Sequence, residues 1–135
     1  MTETRRNRIL VVDDEITVCK SIRQALVCDA YEVDVALSGE EALKKEDEKK
    51  YDVIIADLMM PGLSGIDLLK SLKAKNSAAK VIMVTGYPTM KTTVQSIQIG
   101  AFDYLPKPFL PTQLRSLVAR ALAETGSGQP PSSEI

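Results

Sequence analysis

Val53-Ile54-Ile55-Ala56-Asp57-Leu58-Met59-Met60-Pro61-Gly62-Leu63-Ser64-Gly65 is the segment on which the reading of this chain turns. Four apolar residues without a polar break suit a strand covered on both faces, as in a parallel sheet with helices above and below. Asp57 follows at once, at the carboxyl end of that strand. Pro61-Gly62 and Ser64-Gly65 then mark a loop. Gly62 and Gly65 read as backbone devices for its tight path, and Met59 and Met60 as apolar residues covering it. A helix with Ile66, Leu69 and Leu72 on one face comes next.

The same unit recurs on either side. Ile9-Leu10-Val11-Val12 is a short strand ending in Asp13-Asp14, and Val18, Ile22, Ala25 and Leu26 place a helix over 15–29. Tyr31, Val33 and Val35 alternate with polar neighbours, which predicts a strand near a sheet edge. Ser38 caps a second helix, with Glu41 three residues on completing a capping box. The charged run Lys44 to Lys50 reads as its solvated outer face. Val81 to Val84 is a fourth strand ending at Thr85-Gly86. Residues 89–99 read as a helix with Met90, Val94 and Ile97 inward, ended by Gly100.

Ala101 to Leu105 gives a fifth strand, followed by Pro106-Lys107-Pro108. The last helix runs from Pro111, well placed in a first turn, to about Glu124, with Leu114, Leu117, Val118, Ala121 and Leu122 as its stripe. Leu110 before it offers no capping side chain, a loss of about 1 kcal/mol. Five βα units in sequence imply a doubly wound parallel sheet of the α/β class, since parallel neighbours need right-handed crossovers. The expected organisation is a flexible tail over 1–7, one domain over 8–124 and a tail or linker over 125–135. That last stretch holds seven Gly, Pro or Ser among its eleven residues.

At 135 residues and 44% apolar, the chain has room for one ordinary domain. A formal net charge of −1 gives no reason to expect bulk attraction to nucleic acid or an anionic membrane. It contains no histidine, which excludes Ser-His-Asp and Cys-His centres, His-containing zinc sites and a phosphohistidine. Cys19 and Cys28, read on one helix about 13 Å apart, are beyond disulfide reach and are expected to be reduced. No apolar run approaches a membrane span, and Ile9 to Val12 is too short for a signal-peptide core. A cytoplasmic protein is expected.

In such a fold, ligands bind outside the carboxyl ends of the strands. There stand Asp13, Asp14, Asp57, Thr85 and Lys107. Clustered carboxylates repel unless a cation joins them. Oxygen ligands without His or Cys select a hard ion such as Mg²⁺, which takes carboxylates together with phosphate oxygens. Lys107 supplies a positive charge able to reach a phosphate, and Thr85 a hydroxyl able to bond a phosphoryl oxygen. One carboxylate is then available as a nucleophile towards phosphorus. Asp57, alone after its strand, is the natural choice, whereas Asp13 and Asp14 look like a metal-binding pair.

Val11-Val12-Asp13-Asp14-Glu15, Asp57 to Gly65, Val84-Thr85-Gly86 and Tyr104-Leu105-Pro106-Lys107-Pro108-Phe109 together resemble the receiver domain of bacterial two-component response regulators, over about residues 8–124. The resemblance implies a flavodoxin-like (βα)5 fold with strand order 2-1-3-4-5. It also implies a phosphorylation-activated switch, not a conventional enzyme, that takes its phosphoryl group from a sensor histidine kinase. It makes Asp57 the phosphoacceptor, Asp14 a direct Mg²⁺ ligand, Asp13 one acting largely through water, and the Met59 backbone carbonyl a further ligand. Thr85 and Tyr104 match the switch pair, although Tyr104 also reads as an edge-strand aromatic half packed on the core. Lys107 matches the phosphate-contacting lysine and precedes a proline whose bond is typically cis. Pro108 alternatively reads as a simple turn residue.

By the same resemblance, the 89–99 helix, the fifth strand and the last helix form the surface for an output domain or a homodimer partner. The stretch from Thr85 to Phe109 looks most like receivers of nitrogen-regulation-type AAA+ transcriptional activators. Met59 and Tyr87 match positions that in the receiver family modulate phosphoryl hydrolysis, and neither side chain is a good base. Three other readings compete. A flavodoxin-type flavin binder would place a hydroxyl-rich loop after its first strand, where this chain has Asp13-Asp14. A Mg²⁺-dependent aspartyl phosphatase of the haloacid-dehalogenase type would have Asp-x-Asp there. A degenerate receiver acting only as an interaction module would share every motif.

Overall fold

The computed structural model describes residues 6–28 and 30–125. The expected tails fall largely outside these residues, at 1–5 and 126–135. The elements alternate as β1 (Asn7–Val12), α1 (Ile16–Ala25), β2 (Tyr31–Ala36), α2 (Gly39–Glu48), β3 (Val53–Asp57), α3 (Gly65–Ala74), β4 (Lys80–Thr85), α4 (Met90–Ile99), β5 (Asp103–Pro106) and α5 (Pro111–Thr125). The five strands form one parallel sheet in the order β2-β1-β3-β4-β5, the doubly wound topology the sequence implies.

Strand side chains alternate between two cores. Leu10, Val12, Ile54, Ala56, Val81 and Met83 pack on one face with Leu68, Leu69 and Leu72 of α3 and Ala42 of α2. Ile9, Val11, Val53, Ile55, Ile82 and Val84 face the other way, against Cys19 and Ile22 of α1 and Leu114 and Val118 of α5. Each fully covered Leu or Ile contributes about 1.5–3 kcal/mol of apolar burial. The continuous runs in β1, β3 and β4 are apolar because both faces are covered. β2, at the edge, is half-buried along most of its length.

Several local expectations are corrected. α1 stops at Ala25, not Asp29, so Cys28 lies beyond the helix. Both thiols are free, Cys19 buried and Cys28 exposed. β5 begins at Asp103 rather than Ala101. Ser38 accepts from the Glu41 N–H at 3.0 Å, but the Glu41 carboxylate reaches back to the Leu37 N–H, one residue before the capping box would place it.

The charged run is not simply a solvated face. Glu46 is buried and accepts from the Tyr51 N–H and the Ser77 hydroxyl, while Lys49 donates to Glu32 and Asp34 of β2. The largest correction concerns α4. Met90, Val94 and Ile97, expected inward, are 82%, 46% and 47% exposed, and Ser96 is buried in their place. At the start of α5 the Leu110 N–H donates to Gln113 Oε1 at 2.7 Å, so a side chain from the first turn reaches back in place of a capping residue. Among the described residues no helix is long and apolar enough to cross a membrane.

Candidate functional site

Register brings the strand-end residues together. Val12 pairs with Ala56, Asp57 with Val84, and Thr85 with Pro106. Asp13, Asp57, Thr85 and Lys107 therefore stand side by side at one edge of the sheet. Backbone bonds carry the ladder past the strands: Asp13 N–H to Ala36 O at 3.2 Å, Leu58 N–H to Val84 O at 2.9 Å and Lys107 N–H to Thr85 O at 2.8 Å. The Lys107-Pro108 bond is cis.

Each strand-end acceptor is then fixed in the same way. Asp13 Oδ1 accepts from the Glu15 N–H at 2.9 Å, Asp57 Oδ1 from the Met59 N–H at 3.1 Å, and Thr85 Oγ1 from the Tyr87 N–H at 3.1 Å. These are Asx- and ST-type turns, in which a short polar side chain bonds the backbone two residues on. The turn occupies one oxygen of each aspartate and leaves the other directed into the site. Lys107 Nζ donates to both remaining oxygens, Asp13 Oδ2 at 3.1 Å and Asp57 Oδ2 at 3.3 Å.

Asp13 and Asp57 are buried and Asp14 is exposed, yet one carboxylate oxygen from each lies within 4.8 Å of the others. Burial, reinforced by the Asp13 charge, pushes the Asp57 carboxyl above the ordinary carboxylate range, against the pull of the Met59 N–H and Lys107. Burial works to lower Lys107, but the charges of Asp57 and Asp13 outweigh it and hold the ammonium above its usual value. Three acids with one lysine leave net negative charge in a poorly solvated corner. That donor set, all oxygen and with Asp14 open to solvent, fits a hard divalent cation.

The remaining expected residues are distributed around this centre. Met59 touches it through its backbone N–H, while its side chain is exposed. Tyr104, on β5, is half-buried and packs against the core on the face that α2 and α3 cover. Its hydroxyl oxygen is buried with no hydrogen-bond partner among the described residues. Beside Lys107 opens a mostly apolar groove lined by Val18 and Ile22 of α1 and by Tyr87, Pro108, Phe109 and Pro111.

Sequence reasoning did not assign Glu15, whose amide orients Asp13, or Cys19, whose thiol donates to the Asp13 carbonyl at 3.4 Å. Burial first, and the Asp13 charge second, push that thiol up to about 11, so it stays protonated. Glu15 was legible in principle, since an Asp or Thr ending a strand commonly bonds two residues on. Cys19 carried no such signal.

The sequence profile described as response regulator receiver domain matches residues 9–119. The transcriptional regulatory protein ZraR of Escherichia coli strain K12 is 39% identical over 119 residues, which is 88% of this chain and 27% of that protein. The transcriptional regulatory protein ResD of Bacillus subtilis strain 168 is 38% identical over 125 residues, 90% of this chain and 52% of its own. The chain thus spans about a quarter of the one and half of the other. The crystal structure of a CheY-like response regulator receiver domain protein from Methanospirillum hungatei JF-1 superposes with a TM-score of 0.86 at 31% identity, over 92% of this chain and 99% of that one. Fold, strand-end chemistry and sequence agree, and the chain belongs to the response regulator receiver domain family.

Proposed function

We propose that this receiver is a phosphorylation-activated signalling switch, with Asp57 taking a phosphoryl group from a sensor histidine kinase in a Mg²⁺-dependent reaction. One observation carries the reading: Asp57 Oδ2 is the unturned oxygen of a buried carboxylate, and Lys107 Nζ lies 3.3 Å from it. In the transfer, an Asp57 oxygen forms a bond to phosphorus as the bond from phosphorus to the donor breaks. The donor departs with that electron pair. Asp13, Asp14, Asp57 and the Met59 carbonyl would hold Mg²⁺, which supplies positive charge against the clustered acids and the phosphoryl oxygens.

Lys107 neutralises charge on the incoming group, and the Met59 amide holds Asp57 in its attacking orientation. The Thr85 hydroxyl has its acceptor side taken by the Tyr87 N–H, so its proton remains free for a phosphoryl oxygen. Phosphorylation adds negative charge and acceptor oxygens. Drawing Thr85 and Lys107 onto them biases the conformational equilibrium. Taking that equilibrium from 1:99 to 99:1 requires about 5.5 kcal/mol of differential interaction, within reach of a few charge-assisted hydrogen bonds. Tyr104 completes the switch pair.

The groove along α1 and the loop after β5 opens beside Lys107 and suits the approaching kinase, whereas α4, β5 and α5 offer the surface for an output domain or a second copy. We place the receiver over residues 8–124, in the cytoplasm, controlling an output module of the AAA+ transcriptional-activator type without itself contacting nucleic acid. The test is incubation with acetyl phosphate and Mg²⁺, followed by intact-mass measurement. The wild-type chain gains one phosphoryl group, and Asp57→Asn or chelation of the metal abolishes the gain. An unchanged wild-type mass refutes the reading. With Met59 and Tyr87 flanking the site, the label decays slowly, and a lifetime of seconds would contradict that.

A further inference from the structure

Gly65 opens α3, where glycine is a poor helix former and nothing in the fold asks for a left-handed backbone: the positive-φ glycines among the described residues are Gly62 and Gly100. Space is what excludes a side chain there. An ideal Cβ on Gly65 would lie 2.3 Å from the backbone oxygen of Asp57, 2.8 Å from the Cα of Leu58 and 2.8 Å from Cε of Met83. The first two are backbone atoms of the peptide unit that ends β3. Not every glycine near the site is so placed, since a Cβ on Gly86 would meet nothing within 4 Å.

That peptide unit also holds the acceptor in position. Its Leu58 N–H is bonded to Val84 O on β4, and the Leu58 carbonyl accepts from the Gly65 N–H at 3.0 Å, closing the loop that carries Met59. The Met59 amide in turn orients Asp57 Oδ1. We propose that Gly65 is a positioning residue for Asp57: by lacking a side chain it seats the start of α3 on the Asp57–Leu58 peptide and so fixes the direction of the Asp57 carboxylate. The inference rests on the phosphoacceptor reading for its consequence, but not for its geometry.

Gly65→Ala must tilt this peptide or lift α3 from it. The experiment compares Gly65→Ala with Leu72→Val, which loosens the far end of the same helix without touching Asp57. Both are studied at a temperature where circular dichroism shows them folded. Gly65→Ala is expected to label with acetyl phosphate at least tenfold more slowly than wild type and to shift the amide resonances of Leu58 and Met59. Leu72→Val is expected to label at the wild-type rate with those resonances unmoved.

Labelling of Gly65→Ala within twofold of wild type, or equal losses in both variants, overturns the proposal. So does recovery of labelling in Gly65→Ala combined with Met83→Leu, because that pair relieves only the side-chain contact. Hydrogen exchange of the wild-type protein supplies an arm that needs no variant. The Gly65 amide should exchange as slowly as those of β3, and exchange at loop rates overturns the assignment. A wild-type chain that takes no label sinks the phosphoacceptor reading instead, while the amide shifts and exchange still decide the role of Gly65.

Discussion

α3 and α4 are neighbouring ten-residue helices, and they are held in opposite ways. α3 buries Gly65, Leu68, Leu69 and Leu72 and starts against the backbone of Asp57. α4 buries Ser96 alone among its residues and presents Met90, Val94 and Ile97 to solvent. Its order comes largely from its own bonds: the reciprocal Thr89–Thr92 capping box and the Ser96 hydroxyl on Thr92 O at 2.9 Å. A ten-residue helix is marginal without tertiary packing. Asp57 thus sits on a rigid support. Thr85, four residues before the α4 cap, feeds into the helix that buries the fewest residues among those described. The switch proposed above would use both, one side to hold Asp57 still and one to move in response.

The largest effect that would break this contrast comes from truncating one apolar side chain on each helix. Leu69→Ala should cost about 2–5 kcal/mol in urea unfolding, while Val94→Ser should stay within about 0.5 kcal/mol of wild type. Comparable losses would show that α4 is as firmly packed as α3. Next comes Tyr104, on the edge strand that α4 contacts. Its buried hydroxyl, without a partner among the described residues, carries a desolvation cost, so Tyr104→Phe should stabilise the protein by about 1 kcal/mol and raise its thermal midpoint. A lowered midpoint would mean that the hydroxyl is bonded in solution.

The smallest effect lies on the far flank. Burial would raise the Asp34 carboxyl, but hydrogen bonds from the Tyr51 hydroxyl and Lys49 outweigh it and hold it below the ordinary range. A depressed carboxylate stabilises fully above its unfolded value of about 4 and loses that contribution as pH falls through the lower folded value. Asp34→Asn should therefore cost about 1 kcal/mol at neutral pH and nothing once wild-type Asp34 is protonated. A pH-independent difference would remove Asp34 from the acid limb of the stability curve.

How far the sequence could be read depended on whether a residue's environment was set locally. The strands of β1, β3 and β4 were legible because burial on both faces forces unbroken apolar runs. The gathering of Asp13, Asp57, Thr85 and Lys107 was legible because a parallel sheet sends every strand's carboxyl end to one edge. Glu46 was misread because nothing within Lys44 to Lys50 announces that Ser77 and the Tyr51 amide will close over it. α4 departs from its sequence expectation because apolar spacing alone suggests a core-facing stripe, whereas the buried face carries Ser96. The helical spacing that predicts a helix through Asp29 gives no sign that α1 ends at Ala25, short of Cys28.

By itself the sequence determined the element order, the parallel topology and the set of groups at the strand ends, because periodicity and turn chemistry are properties of neighbouring residues. Only the tertiary structure decided which carboxylate oxygen is tied down and which is shared with Lys107, why Gly65 has no side chain, and which way α4 faces. Those outcomes depend on contacts between residues far apart in the chain, where a few tenths of an ångström or a rotation about a helix axis sets the result.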